Sequence, residues 1–403
     1  MAVGVAEVAS SSRSRTSPVA SYYLLASATA LLVLVGLAAM LSSSSIDSIT
    51  EDGDPYTLFK AQLAYLAVGV VGLLIMSRVS VPALKRAAPW FLAASIVLLF
   101  LVAATPLGHS SGGNKNWFRW GWVTAQPSEA AKLALALYLG VALSRLRPRL
   151  TTVKQAIVPA GLVATLVVGL VLAGKDIGTG VVMILLVAAA YWTAGLPVRF
   201  FALGAAMAGG LVALLVLSRD ALSARVTDWL SPDCGVDACW QVTHGTWALA
   251  SGGIWGLGPG LSREKWSYLP KAHNDFIFAI LGEEFGLVGT VFVLVALAMI
   301  AIAVNRIVQR HRDTFVQITA AAIGAWIVGQ ACLNIAVVLG LAPVTGVPLP
   351  LVSSGGSSMI MSLVGIGVLL AFARREPGAA EALAVRPSLA RRSLAVVSGR
   401  RRG

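Results

Sequence analysis

Apolar residues in this chain come in long unbroken runs, not in the three-to-four-residue rhythm of a half-buried surface helix. Ten such runs recur, at about 21–41, 59–77, 89–106, 127–144, 155–173, 177–194, 199–217, 276–304, 315–340 and 357–373. A helix of about 20 apolar residues spans the hydrocarbon layer of a bilayer. Backbone inside lipid must satisfy its own N–H and C=O groups, which leaves helices as the spanning element here. The pattern therefore predicts an all-α polytopic membrane protein of ten transmembrane helices. Residues 21–373 form its membrane domain, with a large extracytoplasmic loop, 218–275, between helices 7 and 8. Composition agrees: the chain is 57% hydrophobic and 12% charged, whereas a soluble domain carries about 25% charge. Residues 1–20 are polar and Ser-rich, with Arg13 and Arg15, and read as a disordered arm with no cleavable signal peptide.

Charge supplies orientation. With the N-terminus placed inside, the inner segments are the arm, Arg78 to Arg86, Arg145 to Lys154, Arg199, Arg306 to Arg312 and the tail 374–403. They hold 21 of the 31 Lys and Arg but only four of the 18 acids, Glu7, Asp313, Glu376 and Glu381. This is the positive-inside signature, and it puts both termini in the cytoplasm. The net charge of +13 is thus an orientation signal and implies no nucleic acid. The basic tail reads as either a contact for anionic lipid or a solvated segment.

The outer connections differ in character. Residues 42–58 read as a plain connector. Residues 107–126 carry Lys115, Trp117, Arg119, Trp120 and Trp122, whose tryptophans suit either an interfacial belt or a site. The loop 218–275 is too long for a connector and reads as functional. It holds Cys234 and Cys239, either a short disulfide or two free thiols, while Cys332 packs within a span. His244 has no evident partner and reads as surface. No Cys/His metal spacing is present.

Unusual polar residues gather at the outer ends of the spans. Asp275 directly precedes a long apolar run and has two readings, an N-cap or a carboxylate beside His273 and Lys271 able to take a proton from a sugar hydroxyl. Glu283 and Glu284 lie about 12 Å deeper along a helix, where ionisable groups pair or line a cavity; Lys132 is the candidate partner. Glu129 and Lys132 are three apart on one helix face and form either a self-contained ion pair or part of a polar groove. Asp176 starts a helix in Lys175-Asp176-Ile-Gly-Thr, and Gly355-Gly356-Ser357-Ser358 starts another on the same side. Helix N-termini attract anions, although ordinary turn chemistry accounts for either motif alone.

Four blocks carry a resemblance: Gly-Asn-Lys-Asn-Trp117 with Gln126-Pro-Ser-Glu129-Ala-Ala-Lys132; Lys-Asp176-Ile-Gly-Thr; Leu-Pro-Lys-Ala-His273-Asn-Asp275-Phe-Ile-Phe with Gly-Glu-Glu-Phe-Gly; and Pro-Val-Thr-Gly-Val-Pro-Leu-Pro with Ser-Gly-Gly-Ser357-Ser. In order and placement they resemble the signatures of the SEDS family, FtsW/RodA/SpoVE, over about residues 20–375. The resemblance implies a peptidoglycan glycosyltransferase of the bacterial cytoplasmic membrane. Such an enzyme polymerises lipid II, with inversion, into β-1,4 glycan at the outer face, in division or elongation. It implies Asp275 as the catalytic base and Trp117, Arg119, Gln126, Glu129, Lys132, Asp176, His273 and Ser357 as substrate-binding or supporting residues. Its partners would be a class B penicillin-binding transpeptidase and other divisome or elongasome membrane proteins. No cofactor is implied beyond a divalent ion, Mg or Mn, on the pyrophosphate. The chain departs from the family pattern at Asn116, Thr124, Lys175 and Ser354, where Arg, Arg, Pro and an aromatic are usual. Two other readings compete: a lipid II flippase, and a scaffold for a transpeptidase.

Overall fold

The computed structural model describes residues 17–385, apart from 112–113, 121–122, 147–154, 156, 218–222, 224–226, 228, 230–235, 267 and 271. Most of the expected arm, the end of the basic tail, Trp122, Lys271 and the Cys234–Cys239 pairing lie outside the described residues. Each expected span overlaps a helix, the fifth only over the 12 residues of its end: α1 (Ala20–Ser43), α3 (Thr57–Met76), α4 (Val81–Ala104), α5 (Pro127–Leu146), α6 (Leu162–Ala173), α7 (Ile177–Ala194), α8 (Val198–Leu217), α10 (Ile277–Arg310), α11 (Thr314–Val338) and α12 (Gly356–Ala373). Among the described residues, seven of these, α1, α3, α4, α7, α10, α11 and α12, are long and apolar enough to cross a membrane. The third span was expected to open near Pro89, yet α4 opens at Val81 and carries Pro89 in its interior. Pro82 stands in its first turn, where a missing N–H costs nothing.

The connections hold more structure than their composition suggests. Segment 42–58 contains a short helix, α2 (Ser45–Asp52), the large loop contains α9 (Val236–Gly252), and the tail contains α13 (Ala379–Val385). The chain is not wholly helical. β1 (Gly108–Ser111), β2 (Asn114–Trp120) and β3 (Val123–Ala125) form an antiparallel sheet in the order β1-β2-β3, pairing His109 with Trp117 and Arg119 with Thr124. The register slips between His109 and Ser110, which pair with Trp117 and Lys115, so Asn116 is the extra residue of a bulge in β2; beyond it Trp117 and Arg119 share one face of β2.

The centre of the bundle is α5 against α11, with α7, α10 and α12 around them. Leu133 to Leu137 of α5 are buried without interruption, as expected of a helix surrounded by other helices. At Gly140 a Cβ would lie 2.0 Å from Thr319 Oγ1, so α5 and α11 meet closely only because that side chain is absent. Charged contacts sort to two ends. One end holds Lys85–Asp313 at 2.8 Å, Arg310–Glu376 at 3.4 Å, and Arg306 on Ser21 at 3.2 Å. The other holds Asp47, Asp176 and Asp275.

A continuous α10 of 34 residues would run about 51 Å at 1.5 Å per residue, well beyond the ~30 Å hydrocarbon layer. It is broken at Gly286, whose φ of 65° and ψ of −161° suit only glycine. The break frees two carbonyls and two amides, and the loop after α9 takes all four. Leu257 N and Gly258 N donate to the carbonyls of Glu283 (2.9 Å) and Glu284 (3.0 Å), while Leu287 N and Val288 N donate to those of Gly253 (2.9 Å) and Ile254 (3.2 Å). These four bonds replace helical ones that the break interrupts.

The same exchange explains Glu283 and Glu284. Lys132 is not their partner, because loop 251–265 supplies the partners instead. Glu283 accepts from Ser262 Oγ (2.5 Å) and Arg263 N (3.0 Å), and Glu284 from Ser262 N (3.3 Å), Lys265 Nζ (3.3 Å) and Ser42 Oγ. Lys265 Nζ also donates to Ser42 Oγ at 2.8 Å, tying the loop to the end of α1. His244, expected at the surface, is buried on Glu264 at 2.5 Å between Trp240 and Trp247.

Two stability predictions follow from these contacts. Lys265→Met leaves the buried Glu284 carboxylate without its cation and should cost about 3–5 kcal/mol, read as a clear drop in the Tm of purified protein; an unchanged Tm would contradict the ion-pair account. Lys175 holds φ at 65°, a strain of about 1–2 kcal/mol for a residue with a Cβ. Lys175→Gly should therefore raise Tm, and Lys175→Pro should lower it, because proline fixes φ near −65° and removes the N–H that here donates to Leu172 O at 3.0 Å.

Candidate active site

The site is built around the loop between α11 and α12, residues 339–355. Two polar residues one turn apart on α11, Gln330 and Asn334, reach into it. Gln330 Nε2 donates to Pro348 O at 2.9 Å, and Asn334 Nδ2 to Val347 O at 2.8 Å. Within the loop, Leu349 N donates to Ser353 Oγ at 2.7 Å. From α3, Gln62 Nε2 donates to Ser353 O at 3.3 Å.

That loop grips the segment carrying Asp275. Three successive carbonyls, those of His273, Asn274 and Asp275, each accept one bond: from Ser354 N at 3.0 Å, Ser353 Oγ at 2.7 Å and Asn334 Nδ2 at 2.8 Å. The segment is therefore fixed at three consecutive peptide units. Asp275 is half-buried, and a Cβ on Gly346 would lie 3.7 Å from its Oδ2. The N-cap position of α10 falls one residue later, on Phe276. His273 Nδ1 lies 2.8 Å from Asp47 Oδ2 on α2, so a segment that reads as a connector reaches the site.

On the other side of the loop, Asp176 caps α7, its Oδ1 accepting from Thr179 N at 3.0 Å. Its Oδ2 accepts from Gln126 Nε2 at 3.0 Å, and Gln126 N donates to Ser357 Oγ at 3.0 Å. Burial raises the Asp176 carboxyl above the ordinary carboxylate range, against the pull of the Thr179 bonds and of the Lys132 charge. Gly178 fits beneath the loop, where a Cβ would lie 2.2 Å from Val347 Cγ2. Gln126, Asp176 and Ser357 thus form one cluster, joined to Asp275 through residues 345–347.

Glu129 and Lys132 make the self-contained pair. Lys132 Nζ donates to Glu129 Oε1 and to Gln330 Oε1, both at 2.7 Å, and lies 5.0 Å from the Trp326 ring centre. Its charge is committed inside the bundle and supports the loop through Gln330. The sheet carries the remaining candidates. Asn116 is buried against Gly174, and Lys115 N donates to Gly174 O at 3.1 Å, docking β2 on the Asp176 turn. Trp117 is half-buried and Arg119 exposed. Lys175 is exposed on the same turn.

Among the described residues no three His, Cys, Asp or Glu side chains converge with metal-ligand geometry. Asn334, Gln330, Ser353 and Asp47 were missed in the sequence. The first two carry a legible signal, because polar side chains four apart inside an apolar span face one another's neighbours and need partners.

A family model for FtsW/RodA/SpoVE, described as cell cycle protein, matches residues 22–377. The probable peptidoglycan glycosyltransferase FtsW of Mycobacterium tuberculosis is 38% identical over 367 residues, covering 91% of this chain and 70% of that one. Stage V sporulation protein E of Bacillus subtilis is 33% identical over 354 residues, covering 87% and 96%. Among solved structures, a chain from a peptidoglycan synthase complex coordinating polymerization and crosslinking superposes with a TM-score of 0.72 at 28% identity, covering 87% of this chain and 96% of that one. The rod shape determining protein RodA of Thermus thermophilus gives 0.65 at 27% identity, covering 88% and 97%. With a match that runs from α1 past the end of α12, this multi-pass membrane chain belongs to the FtsW/RodA/SpoVE family.

Proposed function

We propose that the protein is a peptidoglycan glycosyltransferase that polymerises lipid II at the outer face of the bacterial cytoplasmic membrane, in the manner of its FtsW relatives in division. The observation that carries this reading is the three-point grip on residues 273–275, in a chain whose family match covers residues 22–377. A general base must be held in one geometry relative to the atom it deprotonates, and this grip does that for Asp275. All ten helices cross the membrane in this reading. The basic end, with Arg306, Arg310 and Arg374, faces the cytoplasm, and the Asp275 end faces outward.

Asp275 takes the proton of the acceptor saccharide's 4-hydroxyl. That oxygen attacks the anomeric carbon of the donor, the bond to undecaprenyl pyrophosphate breaks, and an α-linkage becomes β in one displacement. Lys132 is locked on Glu129, so the leaving pyrophosphate is left to the exposed cations Arg119 and Lys175 and to a divalent ion, Mg or Mn, arriving with it. Gln126, Asp176 and Ser357 shape the wall of the groove, Trp117 offers an aromatic face to a sugar, and His273 lies beside the base. A class B penicillin-binding transpeptidase is the partner that would crosslink the product, within a larger divisome assembly. Transport is the weaker reading, because Glu283, Glu284 and Lys132, the buried charges a transporter would move, are all paired.

Asp275→Asn should abolish polymer formation from labelled lipid II while leaving Tm and expression intact, assayed on purified protein with its transpeptidase. Full activity in that variant would remove Asp275 from this role. Lipid II translocation without polymer, by wild-type protein in vesicles, would favour the flippase instead.

A further inference from the structure

Asp47 lies in no motif block and in a stretch that reads as a connector, yet its carboxylate is 2.8 Å from His273 Nδ1, 226 residues away in sequence. The contact is not a chance surface pair. The His273 side chain is 16% exposed, and its backbone carbonyl is already fixed by Ser354 N. The helix carrying Asp47 is anchored as well. Leu58 N donates to Ser48 Oγ at 3.3 Å, and Ser42, just before that helix, is bound by Lys265 and Glu284. A carboxylate on Nδ1 selects the tautomer whose Nδ1–H it accepts, which leaves Nε2 with the lone pair of a proton acceptor. Nε2 enters none of the described hydrogen bonds.

We propose that Asp47 and His273 form a proton-transfer pair serving Asp275, an inference that rests on the polymerase reading above. When the acceptor oxygen bonds to the anomeric carbon and pyrophosphate departs, the hydroxyl proton is on Asp275. In a polymerase that keeps its growing strand bound, saccharide covers that carboxyl between additions. The proton passes from Asp275 to Nε2 of His273, two residues away in the same turn, directly or through one water. Asp275 is again a carboxylate, and the imidazolium is offset by Asp47, which keeps its Nδ1–H bond. Nε2 then releases the proton to water. His273 exchanges a proton with the reacting group, whereas Asp47 acts through His273 and is a positioning residue.

The test uses purified full-length protein with its transpeptidase and labelled lipid II. His273→Ala should lower kcat about tenfold or more with KM for lipid II unchanged, and added imidazole should restore much of the rate. Asp47→Asn, which keeps the size of the side chain, should also lower kcat at constant KM, and the double variant should be no slower than His273→Ala alone. Asp275→Ala should be silent with or without imidazole. The proposal is overturned if His273→Ala keeps the wild-type rate, or if it is slow at unchanged Tm and imidazole does nothing. Either result leaves the polymerase reading standing, provided wild type polymerises and Asp275→Ala does not. Wild-type protein that makes no polymer would sink that reading and this inference together.

Discussion

The structure depends on a loop that has no regular secondary structure of its own. Residues 345–354 hold the carbonyls of His273, Asn274 and Asp275 through Ser353, Ser354 and the loop-bound Asn334. The loop in turn hangs on Gln330 and Asn334 of α11 and on Gln62 of α3. Irregular backbone at membrane depth survives only where protein satisfies its polar groups. Buried amide side chains do this here: Gln330 and Gln62 each donate and accept, and Asn334 donates twice. Taking out Asn334 or Gln62 would strand two backbone groups and taking out Gln330 one, so the geometry around Asp275 rests on all three.

The same logic governs the buried charges. Glu129–Lys132 and Glu284–Lys265 are each nearly sealed from solvent. Charges so placed cost more to desolvate than they return unless every lone pair is used. They serve to fix elements in place. The first pair supports the loop through Gln330. The second, with Glu283, seats loop 251–265 across the break at Gly286 and binds it to α1. Two elements far apart in sequence, the end of α1 and loop 251–265, thereby meet at Glu284 of α10.

Much of this was legible in the sequence. Apolar runs long enough to span a bilayer leave little choice of structure, so each expected span overlaps a helix. Asp275, Asp176, Gln126 and Ser357 stood out because polar residues at span ends are unusual, and they do lie around one loop. The sheet at 108–125 was missed because Lys115 to Arg119 run polar, polar, apolar, apolar, polar and lack the alternation that marks a strand. Helix α9 was missed because its 17 residues carry no long apolar run. Lys132 was wrongly matched to Glu283 and Glu284 because Lys265 sits in an aperiodic loop, where sequence spacing says nothing of proximity. Asp47 could not be found at all. Its contact with His273 exists only once α1 packs against α10.

The central claim is that the Asp275 carboxylate is held where an acceptor saccharide places its hydroxyl. Its most direct test is a structure of the Asp275→Asn protein with lipid II bound. The account predicts the saccharide 4-hydroxyl at about 3 Å from the side chain of residue 275, with the pyrophosphate toward Arg119 and Lys175. A glycan bound with its reactive hydroxyl far from residue 275, and the 273–275 segment still gripped as it is here, would contradict it.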